Sequence, residues 1–250
     1  GTVEIFAARH ARSSTGATVL LNGDVHPMNF GVVRGKGGDP VVALNDFDEA
    51  ARGAFSYDVK RGAVGFALLC DEQKLSKSDR DDVVAAFVDA YVDAGSQNAK
   101  AVVDLQHAHG AVKRELDRAA GRTKKDVVEE FGAGKDVVAA PHLIGDVQRG
   151  LDKTFPGVVV TGVAERTGAG IGSLGAQRLL VLLENDVVLE LKTASSPALS
   201  SSSPSSSRLT STPQQEAARV VKAAAQQTRG ADRFSATTTV AGTAFVVRER

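Results

Sequence analysis

The sequence predicts an α+β chain of two unlike parts, a mainly helical one over residues 1–155 and a β-rich one over residues 156–250. Apolar residues recur at helical spacing through residues 57–69 and 83–92. From Gly157 onward they gather into short runs broken by glycine, asparagine and aspartate, the texture of strands and hairpins. A chain of 250 residues is long enough to give each part its own core.

Residues 3–11 read as a short helix and 17–21 as a strand, followed by the polar stretch 22–29. Residues 30–33 and 41–44 pair as a hairpin around Gly35-Lys36-Gly37-Gly38-Asp39-Pro40, a run of turn formers. Residues 57–69 form a helix with an apolar face. Ser78 is expected to cap the next helix, with Asp81 and Asp82 in a first turn where the helix dipole favours negative charge, and Gly95 to end it. Residues 97–155 read as short amphipathic helices between glycines. Strands are expected at 158–163, at 179–184 and 187–191 around the turn Asn185-Asp186, and as a pair within 237–247. The alanine-rich residues 214–227 read as a helix started by Pro213. Residues 195–213 hold ten serines and three prolines. They bury too little apolar surface to offset the entropy of ordering, which predicts a mobile loop.

Apolar residues make up 42% and charged residues 24%, an ordinary globular mix. Thirty basic and thirty acidic residues cancel. That balance removes the long-range attraction expected of a protein built for nucleic acid or an anionic membrane, so neither is an expected partner. No apolar run reaches membrane-span length, and no signal pattern opens the chain. One cysteine, Cys70, fits a reducing compartment, and the cytoplasm is the expected location. The start at Gly1 and the end straight after a strand-like run predict a piece of a longer chain. The oligomeric state is not encoded in any pattern visible here.

The sharpest chemistry lies in Gly23-Asp24-Val25-His26-Pro27-Met28-Asn29, with Asn45-Asp46-Phe47-Asp48-Glu49 after the hairpin. Phosphoryl transfer needs a carboxylate to orient the acceptor hydroxyl and oxygen ligands to hold Mg²⁺ on the phosphates. Asp24, Asn29 and Asp46 supply those groups. Asp24 and His26 are the candidate catalytic pair; Asn29, Asp46 and Asp48 are the candidate Mg²⁺ ligands, Asp48 sharing a strand-end face with Asp46. Each residue alone fits a turn-capping role better than a catalytic one, and only the spaced set with Phe47 points to chemistry.

A second cluster is Thr167-Gly168-Ala169-Gly170-Ile171-Gly172-Ser173-Leu174-Gly175, which contains G-x-G-x-x-G. A dinucleotide fingerprint would need a helix after it, whereas 179–183 reads as a strand. A glycine hairpin over phosphates fits better, since glycine lets backbone amides approach a ligand. Gly168, Gly170, Gly172, Ser173 and Gly175 are therefore candidate nucleotide contacts. Lys192, ending the following strand, stands where a kinase keeps its phosphate-binding lysine, and Glu216 is the acidic residue of the next helix expected to pair with it. His107 and His109 lack a third metal ligand nearby and read as a solvated face. Cys70 reads as buried, and Lys60 and Arg61 as salt-bridge formers with Asp58 as a local partner.

The residues from Gly23 to Phe30, from Asp46 to Glu49, and Tyr57-Asp58-Val59-Lys60-Arg61 resemble the bacterial family called domain of unknown function 2252. The stretch from Gly170 to Lys192, Arg219-Val220-Val221, and Phe245-Val246-Val247-Arg248 resemble it in the same order, while residues 75–155 are only loosely similar. The first motif is also similar to the catalytic loop of aminoglycoside phosphotransferases and related small-molecule kinases. That resemblance implies Asp24 as catalytic carboxylate, Asn29 and Asp46 as metal ligands, and ATP and Mg²⁺ as cofactors. Ordinary kinases put the glycine loop first. The resemblance therefore implies a protein-kinase-like two-lobe fold, circularly permuted, with the helical catalytic lobe before the β-rich nucleotide-clamping lobe. The serine-rich tract departs from the family pattern. The acceptor would be a hydroxyl of a small molecule or protein that the resemblance does not name. A non-catalytic nucleotide-binding or scaffold member of the same fold is the alternative. A metallophosphoesterase, suggested by Gly23-Asp24-Val25-His26, ranks last because no Gly-Asn-His motif follows.

Overall fold

The computed structural model describes residues 2–96, 102–132, 134, 136–167, 175–201 and 211–250. Helix α1 (Thr2–His10) and strand β1 (Thr18–Leu21) lead into a loop and a 3₁₀ turn at Pro27–Asn29. Strands β2 (Phe30–Arg34) and β3 (Pro40–Leu44) form the expected hairpin, Phe30 opposite Leu44. Strand β4 (Ala51–Ala54) then returns to pair antiparallel with β1. Its sequence, Ala-Arg-Gly-Ala, has no strand preference, so β4 exists through its pairing partner and was invisible to local pattern.

Helices α2 (Ser56–Glu72) and α3 (Lys77–Ser96) pack together, with the Phe66 and Phe87 rings 5.0 Å apart. The cap of α3 is Ser76 rather than Ser78: its hydroxyl accepts the Asp79 N–H at 3.1 Å and donates to the Asp79 carboxylate at 2.7 Å. Asp79 can reciprocate across one turn, so the helix starts earlier, and it runs through Gly95 to Ser96. Helices α4 (Gly110–Ala120) and α5 (Lys124–Gly132) follow.

The second half is a six-stranded antiparallel sheet. Its strands are β5 (Val137–Ala139), β6 (Val160–Arg166), β7 (Arg178–Leu183), β8 (Val188–Lys192), β9 (Ala236–Val240) and β10 (Thr243–Glu249), in the spatial order β5-β6-β7-β8-β10-β9. Helix α6 (Ile144–Thr154) packs on β9 and β6. Both β5 and α6 precede residue 156, so the sheet draws in residues that pattern alone assigned to the helical part. Helix α7 (Ala198–Ser201) is a single turn, and α8 (Pro213–Gln227) lies against β10. The α8 start is a full capping box between Thr212 and Gln215, with Pro213 just inside it.

The period of two in β7, β8 and β10 gathers Arg178, Glu190, Lys192 and Arg248 on one face, among Leu180, Leu182, Val188 and Val246. Leu179, Val181, Leu183, Leu189, Leu191, Phe245 and Val247 face the other way and pack with Val147 and Leu151 of α6. Arg178, Lys192 and Val246 align across the strands on the first face, as do Glu190 and Arg248. That face turns toward the N-terminal half, where Val220 and Ala223 of α8 pack with Phe47 and Ala50.

The serine-rich tract was expected to be mobile, yet its described ends are packed. Ala198 is buried with Phe6, Ala7, Leu21 and Tyr57, and Leu199 packs beside it. These are two of the few apolar side chains of the tract, and they anchor it; residues 202–210 lie outside the described residues. No helix among the described residues is long and apolar enough to cross a membrane.

The α6–β9 contact is close enough to test. A Cβ on Gly150 would lie 2.6 Å from the Thr239 carbonyl oxygen. Alanine in a helix interior gains about 1 kcal/mol over glycine, but overpacking against backbone loses about 1–3 kcal/mol. Gly150→Ala is expected to be net destabilising, read as a lower urea midpoint. Gly145→Ala, on the exposed side of the same helix, is expected to leave the midpoint unchanged or slightly higher.

Candidate functional site

The loop after β1 is shaped by a buried carboxylate. Asp58, in the first turn of α2, accepts the Asn22 N–H at 2.7 Å and the Gly23 N–H at 3.0 Å. Gly23 has φ +85°, and a Cβ there would overlap the Glu49 carbonyl oxygen, so glycine is required both for the turn and for the close approach of residues 46–49. The Asn22 amide donates to the Asp46 carbonyl at 2.6 Å, joining the two loops a second time.

Asp24 follows. Arg61 grips its Oδ1 with Nε at 2.8 Å and Nη2 at 2.7 Å, and His26 Nε2 lies 3.6 Å from Oδ2. Burial pushes the Asp24 carboxyl up, but the His26 contact and the Arg61 charge together outweigh it and hold it below the usual aspartate range. Asp24 is thus ionised near neutrality, suited to orienting a hydroxyl. Asn29 donates through Nδ2 to the Asp24 carbonyl at 2.8 Å, which turns its amide oxygen away from that bond.

The second loop, residues 45–50, is held by its carbonyls. Arg248 Nη1 donates to Asn45 O at 2.8 Å, and Arg219 donates to Asp48 O at 2.8 Å and Ala50 O at 2.6 Å. Asp46 Oδ1 accepts the Asp48 N–H at 3.1 Å, the turn-capping role open to it from sequence. Asp48 Oδ2 forms an ion pair with Lys192 Nζ. Burial, then the neighbouring Asp46 charge, raises the Asp48 carboxyl despite Lys192 and Arg248. Glu49 accepts the Ala198 N–H at 2.6 Å; burial above all, with the charges of Asp24 and Asp48, holds its carboxyl above the usual range.

Over this loop lies the charged sheet face. Glu190 is 3% exposed and is bracketed by Arg248, whose Nε lies 2.6 Å from Oε2, and Arg178, 3.6 Å from Oε1. Burial opposes its charge, but the two arginines outweigh that and hold the Glu190 carboxyl low. Loop and sheet enclose a cleft of about 320 Å³, whose walls include Leu44, Asp46 and Asp48 from the first half and Glu190, Lys192 and Arg248 from the second.

Lys192, Asp46 and Asp48 thus meet in one cleft. Asp24, His26 and Asn29 do not line it; they adjoin it through Asn22, Gly23 and Glu49. Gly168, Gly170, Gly172 and Ser173 lie outside the described residues. Gly175, with φ +88°, borders a neighbouring hollow of about 480 Å³ that shares Arg166 and Arg178 with the cleft. The expected Lys192–Glu216 pair is not formed: Lys192 is held by Asp48, and Glu216 binds Arg219 Nε at 2.7 Å, Ser196 at 2.8 Å and Ser211. Arg219 lies one helical turn from Glu216 and reaches it without any movement of α8. Burial pushes the Glu216 carboxyl up, and these three donors bring it below its usual range. His107 pairs with Asp104, and Cys70 is buried. Among the described residues no group of three or more His, Cys, Asp or Glu is arranged to hold a metal.

Sequence reasoning passed over Asp58 as a loop anchor, Glu190, and Arg219. Glu190 was legible in one respect, standing two residues before Lys192 and so on the same strand face. Asp58 and Arg219 act through distant backbone groups, which no local pattern reveals.

Burial pushes the Asp58 carboxyl up to about 6, against the two N–H donors that favour its charge. Between about 6 and the ordinary 3.8 the folded protein binds the extra proton, so the Asp58 contribution to stability grows as pH falls through that window and shrinks as pH rises. The stability difference between wild type and Asp58→Asn is expected to widen from about pH 7 to about pH 4 in urea titrations. Asp58→Ala strands two buried N–H donors, each worth about 1–3 kcal/mol, and is expected to be severely destabilising at every pH in that range.

Comparison with curated proteins gives no match, and comparison with solved structures gives none either. A family model, described as "Uncharacterized protein conserved in bacteria (DUF2252)", matches residues 1–136 and 142–250. With nearly its whole length matched, the chain belongs to the DUF2252 family.

Proposed function

We propose that the chain is an ATP- and Mg²⁺-dependent phosphotransferase of protein-kinase-like type, its two lobes in circularly permuted order, acting on a hydroxyl of a small molecule or protein. The observation that carries this reading is the Lys192–Asp48 ion pair, because it joins the strand after the glycine-rich segment to the acidic loop after the β2–β3 hairpin. Phosphate-binding lysine and metal-binding carboxylate must surround one triphosphate in a kinase-like site.

Other features support it. Asp24 and Asn29 stand at the D-x-x-x-x-N spacing of a kinase catalytic loop, and the Asn29 side chain bonds the Asp24 backbone. Glycine segment, lysine strand and helix with an acidic residue follow in the kinase order through β6, β7, β8 and α8. The donor set fits Mg²⁺, which takes hard oxygens from one or two carboxylates and completes its shell with water and phosphate, so three clustered carboxylates are not required. Asn29 Oδ1 and Asp46 would hold it, with Asp48 alongside. Bound there, Mg²⁺ neutralises charge on the phosphates. Lys192 grips the phosphates, and Asp24, steadied by Arg61, orients the acceptor hydroxyl. Leu44 and Val246 add apolar walls to the cleft.

A second reading has its own observation. Glu216 is engaged by Arg219 and two serines instead of Lys192, which suits a nucleotide-binding member without turnover. A melting shift with ATP and Mg²⁺ but no phosphoryl transfer would favour it.

Calorimetric titration with ATP and Mg²⁺ tests the proposal. Asp46→Ala is expected to abolish the Mg²⁺-dependent part of nucleotide affinity with the helical circular-dichroism signal intact; unchanged affinity removes Asp46 from the site. Asp24→Asn is expected to lower turnover by about 10²–10⁴-fold with nucleotide affinity nearly unchanged. Lys192→Ala is expected to weaken nucleotide binding itself, since its contacts exist in the ground state.

A further inference from the structure

The Arg219 guanidinium reaches three segments of chain at once. Its Nε–H donates to Glu216 Oε2 at 2.7 Å, one turn back on α8. Its Nη1 donates to Ala50 O at 2.6 Å, and its Nη2 donates to both Asp48 O and Ser195 O, each at 2.8 Å. Asp48 and Ala50 belong to the acidic loop; Ser195 lies just beyond the strand that ends in Lys192. One planar cation therefore fixes the backbone beside the carboxylate relative to the backbone beside the lysine. A guanidinium can do this because its donors form a rigid fork, whereas an ammonium of equal charge radiates three donors from one point.

Glu216 completes the arrangement from behind. Its Oε2 takes the Arg219 Nε–H, and its Oε1 is held by the hydroxyls of Ser196 and Ser211. The carboxylate is buried, and with Glu216 on Nε both Nη groups meet loop carbonyls.

We propose that Arg219 is a positioning residue that sets the geometry of Lys192 against Asp48, and that Glu216 acts through Arg219 rather than on Lys192. The coupling between α8 and the cleft then runs Glu216, Arg219, the Asp48 backbone, Lys192. The consequence for nucleotide binding rests on the phosphotransfer reading; the mechanical coupling does not. A clamp needed for folding alone would lower stability without altering how the Lys192 substitution is felt in the cleft.

The test is a double-substitution cycle read two ways. Affinity for a non-hydrolysable ATP analogue with Mg²⁺ is measured by calorimetry for wild type, Lys192→Met, Arg219→Lys, Glu216→Gln and Lys192→Met with Arg219→Lys, each with its urea midpoint. Arg219→Lys is expected to weaken binding about tenfold or more, and the double variant to match Lys192→Met within about twofold, because both act through one geometry. Glu216→Gln is expected to weaken binding less than Arg219→Lys, since the guanidinium keeps its carbonyl partners. Binding by Arg219→Lys within about twofold of wild type, or losses that add in the double variant, overturn the proposal. If wild type binds no nucleotide, the phosphotransfer reading falls separately. The coupling is then judged on the urea midpoints: non-additive losses from Lys192→Met and Arg219→Lys sustain it, and additive losses end it. Should Arg219→Lys fail to fold, the cycle is run with Glu216→Gln, which retains the guanidinium and is held to the same criterion of non-additivity.

Discussion

Residues 45–50 form a stretch of backbone with few strand partners, and the arrangement of the molecule follows from how their carbonyls are satisfied. A buried carbonyl without a donor is costly, so donors are drawn in from elsewhere in the chain. The Asn22 amide reaches the Asp46 carbonyl from the neighbouring loop, the Ala50 N–H closes on the Phe47 carbonyl, and Arg248 and Arg219, from β10 and α8, supply donors to the carbonyls of Asn45, Asp48 and Ala50. Arginine suits the task because its donors diverge in a plane and its charge persists when buried. The same two arginines bring the sheet down onto the loop, and that placement sets Lys192 on Asp48. Cleft, loop conformation and contact between the halves are one consequence of unpaired backbone.

Charge on the buried sheet face has to be weighed against what apolar residues would do there. Burying Glu190 between two arginines strengthens their attraction but takes the carboxylate, and part of each arginine, out of water, and such networks are often no more stabilising than a packed apolar cluster. The opposite face of the same strands shows the apolar solution, with Leu179, Leu189 and Leu191 packed under α6. One sheet thus carries both solutions, back to back. The charged face is the one that lines the cleft. The apolar packing under α6 leaves the cleft side free to carry charge.

Much of this was legible in the sequence. The α2 and α3 helices, the β2–β3 hairpin, the β7–β8 hairpin around Asn185-Asp186, and α8 with Pro213 at its start all follow from periodicity and turn chemistry. What escaped has a common cause. The β4 strand, the joining of β5 to the sheet, and the burial of Ala198 depend on partners distant in sequence. Asp46, Asp48 and Lys192 were each singled out from local motifs, and the structure brings them to one cleft without Asp24. The partner of Lys192 was not anticipated, since a lysine at a strand end gives no sign of which carboxylate it will meet. Glu216 illustrates the limit most sharply: the helix and the residue were identified, but Arg219, one turn away, was the nearer cation.

The contacts that complete the cleft also have an order in time. Asp48 meets Lys192 across 144 residues, and Arg248 meets the Asn45 carbonyl across 203. During synthesis the acidic loop emerges early, while its arginine partners arrive only with α8 and β10. Until then the carbonyls of residues 45–50 must stay hydrated and Asp46 and Asp48 must repel each other in water, so the first half cannot close into its final form on its own. Pairings this remote make for slow final assembly, because the loop-closure entropy is spent before the contacts return it. The growing chain therefore presents the apolar surface of Phe47 and Ala50 to solvent until α8 is in place, which gives this loop a need of shelter on the ribosome.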